Sequence, residues 1–443
     1  DVQKAIDAAR KVQPAWADMT AVARGDLMRK IALRMRDRRE DIARLVALET
    51  GKAFAHALGE TDGAIEMGLF IAGEGRRYYG RTTTASMAHR TVMTVRQPLG
   101  VAGLIIASNT PIANVAWKSF PSMFCGNASV LKPSEDTPLS AWIFGQICEE
   151  VGLPAGVLNI VHGFGKEAGM ALVSSPQVEL VSFTGSCETG RSIQRVAGER
   201  LAKVCLELGG KNALVVCDDA DLDNAVNWAL SSSFSNAGQR CAAASRIIVF
   251  ESVYEKFRKA FVEATRKLKV GPGDDDYLGP VINERQVLKM SAAVKKAVSE
   301  GAVLLAGGDR LSDPAHAAGF YMAPTILEKV EPAAEISQTE LFGPVTILYR
   351  VGGLDEALAL ANNSRYGLTS AIHTNSLNRA MKYAEKVAAG VVVVNAGTYG
   401  SEPHMGFGGV KDSGTGWREA GVEALDVYSD WKYINLIFNP GKV

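Results

Sequence analysis

The feature that most constrains the fold is a repeated alternation of short apolar strands and helices in the first half of the chain. Strands are predicted over 101–107, 129–131 and 158–161, with helices over 115–124 and 141–151 between them. Strands separated in this way by helices favour a parallel sheet covered on both faces. Nucleotide ligands bind preferentially at the carboxyl ends of such strands, so those ends are the first place to look for a site.

The rest of the chain divides around this pattern. Residues 1–81 have helical periodicity, and because Asp1 already falls inside it, we expect a further segment of the native protein to precede residue 1. Residues 82–95 are rich in Thr and Val and predict a projecting hairpin. A second strand–helix series runs from about 210 to 410, which predicts two α/β domains with the site in the cleft between them. The tail, 431–438, is predicted to be a strand that pairs with the hairpin of a neighbouring subunit.

Composition excludes several classes of function. Lys plus Arg and Asp plus Glu both number 48, so no basic excess favours nucleic acid, and the apolar runs are too short to favour a membrane span. The six cysteines have neither metal-binding nor disulfide spacing, which favours free thiols in a reducing, cytoplasmic setting. The six histidines are dispersed, and no metal site is expected.

One cysteine follows a glycine turn, in Asn-Ala-Gly-Gln-Arg-Cys at 236–241. The hypothesis is that Cys241 is a nucleophile, because Gly238 permits an unusual backbone geometry. Arg240 and an expected helix start after Cys241 would both stabilise the thiolate. The alternative is a buried structural cysteine.

Two further stretches follow predicted strands. The amide of Asn109 could stabilise an oxyanion, or the segment could be only a turn. In Lys-Pro-Ser-Glu at 132–135, Lys132 could donate to ribose hydroxyls and Glu135 accept from them, and the carboxylate would repel a 2′-phosphate, favouring NAD over NADP. The alternative is an exposed charged loop.

Three later stretches complete the candidate chemistry. Phe-Thr-Gly-Ser at 183–186 opens a helix whose N–H groups could face a phosphate, although the chain has no convincing G-x-G-x-x-G loop. Glu207, before two glycines, could be a general base for water if burial raises its pKa. Glu340 could hold a ribose and Phe342 could pack on a flat ring. A capped helix start and an exposed domain-crossing loop are the alternatives for the first two.

Taken in order, these motifs resemble the aldehyde dehydrogenase superfamily over essentially the whole chain, ending with Phe-Gly-Gly-Val-Lys-Asp-Ser-Gly at 407–414. The resemblance implies that Cys241 is the nucleophile, Glu207 the base, Asn109 an oxyanion donor and Lys118 a supporting lysine. It implies NAD as cofactor, with NADP possible as well, held by the following residues: Ile105, Ile106, Lys132, Ser134, Glu135, Gly165, Phe183, Thr184, Gly185, Ser186, Thr189, Leu208, Gly209, Glu340 and Phe342. It also implies substrate contacts at Thr110, Asn114, Trp117, Ser235, Arg240 and Phe407.

The same resemblance implies a Rossmann-like NAD-binding domain (1–81 and 99–209), a catalytic domain (210–424) and a β oligomerisation arm (82–98 and 425–443) in a homodimer or homotetramer. The expected reaction is oxidation of an aldehyde through a cysteine thiohemiacetal and a thioester, which water hydrolyses. Ala-Ser-Asn-Thr-Pro at 107–111 lacks aromatic residues common in the family, so a smaller, more polar pocket is expected. With Arg240, this suggests a short polar or anionic semialdehyde; the alternative is that Arg240 only supports the loop by hydrogen bonds. A CoA-acylating semialdehyde dehydrogenase, disfavoured by Glu207, and a non-catalytic binding protein are the alternatives.

Overall fold

The structure is a computed structural model that describes residues 1–442 and contains two mostly parallel sheets flanked by helices. The helices are α1 Val2–Asp18, α2 Ala21–Asp37, α3 Arg39–Thr50, α4 Phe54–Ala72, α5 Pro111–Phe124, α6 Leu139–Glu150, α7 Met170–Ser174, α8 Cys187–Glu199, α9 Leu222–Phe234, α10 Glu251–Arg266, α11 Glu284–Ser299, α12 Glu335–Gln338, α13 Leu354–Asn362, α14 Leu377–Lys386 and α15 Ala424–Val427. The strands are β1 Thr82–Thr83, β2 Arg90–Pro98, β3 Val101–Ile105, β4 Ala128–Lys132, β5 Leu158–Ile160, β6 Leu180–Thr184, β7 Lys203–Glu207, β8 Asn212–Val216, β9 Ala244–Phe250, β10 Val303–Ala306, β11 Thr325–Glu328, β12 Val345–Val351, β13 Tyr366–Gly367, β14 Thr369–His373, β15 Val391–Val394, β16 Val410–Lys411 and β17 Ser429–Ile437.

The first sheet has the order β5-β4-β3-β6-β7, and its neighbouring strands are parallel. Its central strands β3 and β4 are buried along their whole length, as expected for apolar runs covered on both faces. The predicted α/β class and the alternation of strands and helices are confirmed. The strands are connected by loops that leave the carboxyl edge, where β3, β4, β6 and β7 end at Ile105, Lys132, Thr184 and Glu207.

The second sheet has the order β10-β11-β12-β9-β8-β14-β15. All its neighbours are parallel except β10 and β11, which run antiparallel at one edge. The chain passes directly from β7 of the first sheet to β8 of the second through the segment 208–211. This crossing brings the carboxyl edge of the first sheet next to the loop before β9, which carries Cys241.

A third, antiparallel sheet has the order β1-β2-β17. The predicted hairpin is present, because Thr82 pairs with Met93 and Thr83 with Val92. The tail strand pairs with β2 of its own chain, from Ser429 opposite Pro98 to Ile437 opposite Arg90, and pairing with a neighbouring subunit's hairpin stays a prediction. The strand begins at Ser429, and the preceding residues form α15 and the buried Tyr428, packed into the core of the first sheet. Within residues 1–442, no helix combines the length and apolar character needed to cross a membrane.

Candidate active site

The loop that presents Cys241 has a tightly folded backbone. Asn236, Ala237 and Gly238 are consecutive left-handed residues, with φ of 55°, 53° and 67°. Of these three residues, only Gly238 was predicted from the sequence to have an unusual backbone geometry. A side chain at this position would also clash, because a β-carbon there would lie 2.3 Å from the carbonyl oxygen of Gly343. The two other residues adopt a conformation costing about 1 kcal/mol or more each. Such strain persists only where the surrounding structure imposes it.

The electrostatics of Cys241 differ from the expectation. The residue is followed by a turn and then by β9, so the expected helix start after it is wrong. Burial raises the pKa of its thiol to about 12, and the carboxylates of Glu340 and Glu207 act in the same direction. The Ala242 N–H and Arg240 oppose this rise, as predicted for Arg240, but they do not overcome it. At rest the group is therefore a thiol, and a base must accept its proton.

Glu207 ends β7 with its side chain 5% exposed, and neither carboxylate oxygen has a hydrogen-bond partner within residues 1–442. Burial and the nearby Glu419 raise its pKa well above the usual value, while Lys118 and Arg418 oppose the rise. The raised pKa is the property expected of a buried general base. The carboxylate faces the F-G-G segment, where a β-carbon on Gly408 would lie 2.8 Å from Oε1. A larger residue at Gly408 would occupy this space.

Lys118 is completely buried on α5 and makes an ion pair with Glu419. Its Nζ also donates to Ser182 Oγ at 2.9 Å, and the same hydroxyl donates to Glu419 Oε1 at 2.9 Å. Glu419 and Ser182 were not predicted from the sequence. The available signal was a single acidic residue shortly after the last glycine-rich motif, which is too weak without the fold.

Asn109 lies in the loop between β3 and α5, opposite the nucleophile loop. Its carbonyl oxygen accepts hydrogen bonds from Lys52 Nζ at 2.7 Å and from Asn236 Nδ2 at 3.1 Å. Lys52 is itself buried in an ion pair with Glu60, which accepts the backbone N–H of Ile112 at 3.0 Å. The predicted oxyanion loop and the nucleophile loop are therefore tied together directly.

The predicted cofactor residues gather at the carboxyl edge of the first sheet and beyond it. Lys132 Nζ lies 3.1 Å from Glu135 Oε2. Ser134 and Glu135 line an open cavity of about 430 Å³. Trp142, His162 and Phe164 also line it, and these three residues were not predicted from the sequence. Flat aromatic side chains beside a carboxylate–lysine pair are suited to a nucleoside, whose base stacks and whose ribose hydroxyls form hydrogen bonds.

Other predicted cofactor residues occupy the helix and crossing segments next to this edge. Ser186 caps α8 by accepting the N–H of Thr189 at 3.3 Å, which is the capped helix start considered from the sequence. Four of the predicted residues are largely buried apolar side chains at strand ends: Ile105, Ile106, Phe183 and Leu208. Next to them in the chain are Thr184, Gly185 and Gly209. Gly165 begins a short π-helical turn. Glu340 accepts the Gly210 N–H at 2.9 Å, and Phe342 has a φ of 58°.

The predicted substrate residues lie around the two loops. Trp117 and Phe407 contact each other edge-to-face with ring centroids 5.6 Å apart. Asn114 Nδ2 donates to Thr110 Oγ1 at 3.3 Å. Ser235 is buried, and its hydroxyl has no partner within residues 1–442. Anywhere in residues 1–442, no group of three or more His, Cys, Asp or Glu side chains is arranged to hold a metal ion.

Arg240 is the predicted substrate residue with the most distinctive surroundings. Its guanidinium lies over the ring of Tyr399, 4.8 Å from the centroid. Its Nε has no hydrogen-bond partner, and no carboxylate of residues 1–442 lies within ion-pair distance of it. Tyr399 was not predicted from the sequence.

Comparison with known proteins gives the same assignment as the motifs. The model of the aldehyde dehydrogenase family matches residues 1–434. The chain belongs to this family. It is 36% identical to an alpha-ketoglutaric semialdehyde dehydrogenase of Bacillus subtilis and 37% identical to an NADP(+)-dependent succinate-semialdehyde dehydrogenase of Escherichia coli, each match covering 98% of this chain and 89% of the relative. Family membership makes the protein an oxidoreductase that acts on aldehydes.

Solved structures support the fold assignment. The structure of a betaine aldehyde dehydrogenase from Staphylococcus aureus in complex with NAD+ superposes with a TM-score of 0.97 at 35% identity, covering 99% of this chain and 88% of that one. A lactaldehyde dehydrogenase from Escherichia coli superposes with a TM-score of 0.95 at 35% identity, covering 99% and 91%. These relatives are in line with use of NAD(P) as the cofactor.

Proposed function

We propose that the protein oxidises a short aldehyde carrying a carboxylate or another anion to the corresponding acid, with NAD preferred over NADP and without CoA. The observation that carries this proposal is Arg240, a cation next to the nucleophile that no carboxylate of the described chain neutralises. A partly buried charge without a partner is costly, so its presence beside the reacting centre favours a ligand of opposite charge.

The charge of Arg240 acts on two basic groups near it. His56 lies edge-on to Tyr277 with ring centroids 6.2 Å apart, and burial, Arg240 and Lys52 lower its pKa. Burial also lowers the pKa of Lys52, and Arg240 acts in the same direction. Two neighbouring basic groups thus sense the charge of Arg240. An anionic substrate would relieve this repulsion on binding.

Two of the named relatives support this choice of substrate class. Two of them, at 36% and 37% identity, are named for alpha-ketoglutaric semialdehyde and succinate semialdehyde, and both compounds are aldehydes that bear a carboxylate. The betaine aldehyde and lactaldehyde dehydrogenases show that the same fold also serves cationic and neutral aldehydes. Arg240 favours the anionic class in the present chain.

The proposed chemistry assigns one task to each residue of the site. Cys241 loses its proton to water, and its sulfur attacks the aldehyde carbon to form a thiohemiacetal whose oxyanion is stabilised by the Asn109 amide and the Cys241 N–H. Bound NAD(P) would supply the oxidant by accepting a hydride from that carbon, and a thioester would then be left on Cys241. Glu207 then takes a proton from water as the water attacks the thioester, releasing the acid and the free thiol.

Both titrating groups of this mechanism have raised pKa values. A raised pKa moves to higher pH the range in which a base gains its proton-accepting form. Lys118 holds the pKa of Glu207 down and Glu419 pushes it up, so this buried pair adjusts the base without contacting the substrate. We therefore expect turnover to increase with pH above neutrality.

The cofactor would be held by residues at the carboxyl edge of the first sheet. The cavity beside Ser134 and Glu135, with Trp142 and Phe164 on its walls, fits the adenosine end, and the Glu135 carboxylate disfavours an added 2′-phosphate. We further propose that the protein assembles as a homodimer or homotetramer through the β2–β17 arm, where Tyr433 is 70% and Ile437 69% exposed. The six unpaired cysteines support a reducing, cytoplasmic setting.

Steady-state formation of NADH in the absence of CoA tests the proposal. A carboxylate-bearing aldehyde is compared with a neutral aldehyde of equal length, for the wild type and for Arg240→Gln. Loss of a charge-assisted hydrogen bond is worth roughly 1.5–3 kcal/mol, so kcat/KM for the anionic aldehyde should fall roughly 10- to 150-fold while that for the neutral one changes little. Arg379→Gln, on α14 and paired with Asp218, is the control for loss of a positive charge.

Three outcomes would contradict the proposal. An equal loss for both aldehydes would mean that Arg240 supports only the loop. Turnover that begins only when CoA is added would overturn the hydrolytic role of Glu207. No turnover with any aldehyde, with or without CoA, would favour a non-catalytic protein.

A further inference from the structure

A side chain from the neighbouring strand β8 holds two backbone carbonyl groups of the nucleophile loop. Asn212, at the start of β8, donates from Nδ2 to the carbonyl oxygens of Cys241 at 2.7 Å and of Ala243 at 2.9 Å. Its Oδ1 accepts the N–H of Thr369 at the start of β14, at 3.0 Å. The residue is 3% exposed, and its amide has no role in the mechanism above.

The carbonyl of Cys241 belongs to the same planar peptide unit as the N–H of Ala242. In a trans peptide these two groups point in opposite directions, so a side chain that fixes one also fixes the other. The Ala242 N–H therefore lies on the side of this peptide unit away from Asn212, and it lowers the pKa of the Cys241 thiol against the effects of burial and two carboxylates. A hydrogen bond accepted by the carbonyl also polarises the unit and strengthens its N–H as a donor.

We infer that Asn212 is a positioning residue that holds and polarises the Cys241–Ala242 peptide so that its N–H stabilises the thiolate. The inference rests on the proposed function only in taking Cys241 as the nucleophile. It explains why an asparagine serves here: one NH₂ group reaches two carbonyls of the loop while the oxygen is anchored to a different strand.

The sequence around Asn212 makes this contact possible. Asn212 follows Gly209-Gly210-Lys211, and a β-carbon on Gly210 would lie 2.6 Å from the Cys241 carbonyl oxygen and 2.6 Å from Asn212 Oδ1. Glycine at 210 therefore allows the crossing segment to approach the nucleophile loop closely enough for the Asn212 amide to reach it.

Thr398 provides a matched control. Its Oγ1 donates to the carbonyl oxygen of Ala242 at 2.6 Å, and the residue is completely buried. This carbonyl belongs to the next peptide unit, whose N–H is that of Ala243 and donates to Arg240 O at 3.0 Å. Thr398→Val thus removes a buried hydrogen bond from the same loop without freeing the peptide that faces the thiol.

The experiment measures the rate at which iodoacetamide alkylates Cys241 between pH 7 and 9, with the modified peptide quantified by mass spectrometry. The full-length wild type, Asn212→Leu and Thr398→Val are compared without aldehyde or NAD(P). Loss of the oriented Ala242 N–H should raise the pKa of the Cys241 thiol by about 1, which lowers the fraction present as thiolate. A thiolate of higher pKa is a better nucleophile, and this offsets part of the loss. The alkylation rate should therefore fall about threefold. The Thr398→Val rate should equal that of the wild type.

Asn212→Ala tests the same idea if the leucine variant does not fold, and circular dichroism and gel filtration establish folding for each variant. Equal rates for the wild type and either Asn212 variant would overturn the inference. An equal loss in Thr398→Val would do so too, because it would show a general loosening of the loop. Since alkylation requires neither substrate nor cofactor, failure of the proposed function would appear only in the turnover assays.

Discussion

Replacing Glu340 by glutamine should remove a large pH dependence from the stability of the protein. Burial raises the pKa of the Glu340 carboxyl from 4.5 to about 7, although the Gly210 N–H and the positive charge of Lys211 oppose the rise. Between these two values the folded protein holds a proton that the unfolded chain has released. The free energy of unfolding therefore falls as pH increases through this window.

The size of the effect follows from the two pKa values. Integrated from pH 5 to pH 8, the carboxyl should lower the free energy of unfolding by about 2.5 kcal/mol. Because the Glu340 side chain is partly accessible to water, screening makes this an upper bound. Glutamine keeps an oxygen that can accept the Gly210 N–H, so the substitution removes the titration and retains the contact.

Urea unfolding followed by tryptophan fluorescence at pH 5 and pH 8 measures the effect. The stability of Glu340→Gln relative to the wild type should increase from pH 5 to pH 8. Glu335→Gln is the control: the hydrogen bond from Lys296 lowers the pKa of the exposed Glu335 below its usual value, so the carboxyl is ionised in both the folded and the unfolded chain from pH 5 to pH 8, and this variant should keep the pH dependence of the wild type. Parallel pH dependence in the wild type and Glu340→Gln would refute the reasoning.

Two further substitutions test other parts of the site. Gly238→Ala should lower the free energy of unfolding by about 2 kcal/mol or more and slow alkylation of Cys241, because alanine is strained at φ 67° and its β-carbon would meet Gly343; wild-type stability in the alanine variant would contradict this. Glu135→Ser should raise kcat/KM for NADP relative to NAD by roughly tenfold, the size expected from removing one charge repulsion of ~1.4 kcal/mol near the surface, and an unchanged ratio would remove Glu135 from cofactor selection.

The sequence predicted what depends on local pattern. Apolar runs such as that of β3, separated by helical periods, were sufficient for the parallel sheets, because each element must bury its own apolar face. The glycine turn before Cys241 and the buried Glu207 were likewise visible as motifs. Gly238 has the positive φ that the predicted turn requires, and burial raises the pKa of Glu207 as predicted for a buried carboxylate.

The parts that failed depend on distant contacts. The segment after Cys241 has no helix because a short turn leads directly into β9, which begins at Ala244. The thiolate of Cys241 was expected to be favoured by Arg240, but burial by residues far along the chain dominates its pKa. Glu419 and Tyr399 were missed for the same reason, because only the fold brings them to Lys118 and Arg240.

The most direct test of the central claim is to capture the covalent intermediate. Glu207→Gln should still form the thioester but hydrolyse it slowly, since general-base catalysis typically contributes about 10²- to 10⁴-fold. The variant is mixed with aldehyde and NAD, quenched in acid within one turnover and analysed by peptide mass spectrometry. The account predicts the mass of the acyl group on the peptide containing Cys241, dependent on both aldehyde and NAD. No acyl group on Cys241, although NADH forms, would contradict it.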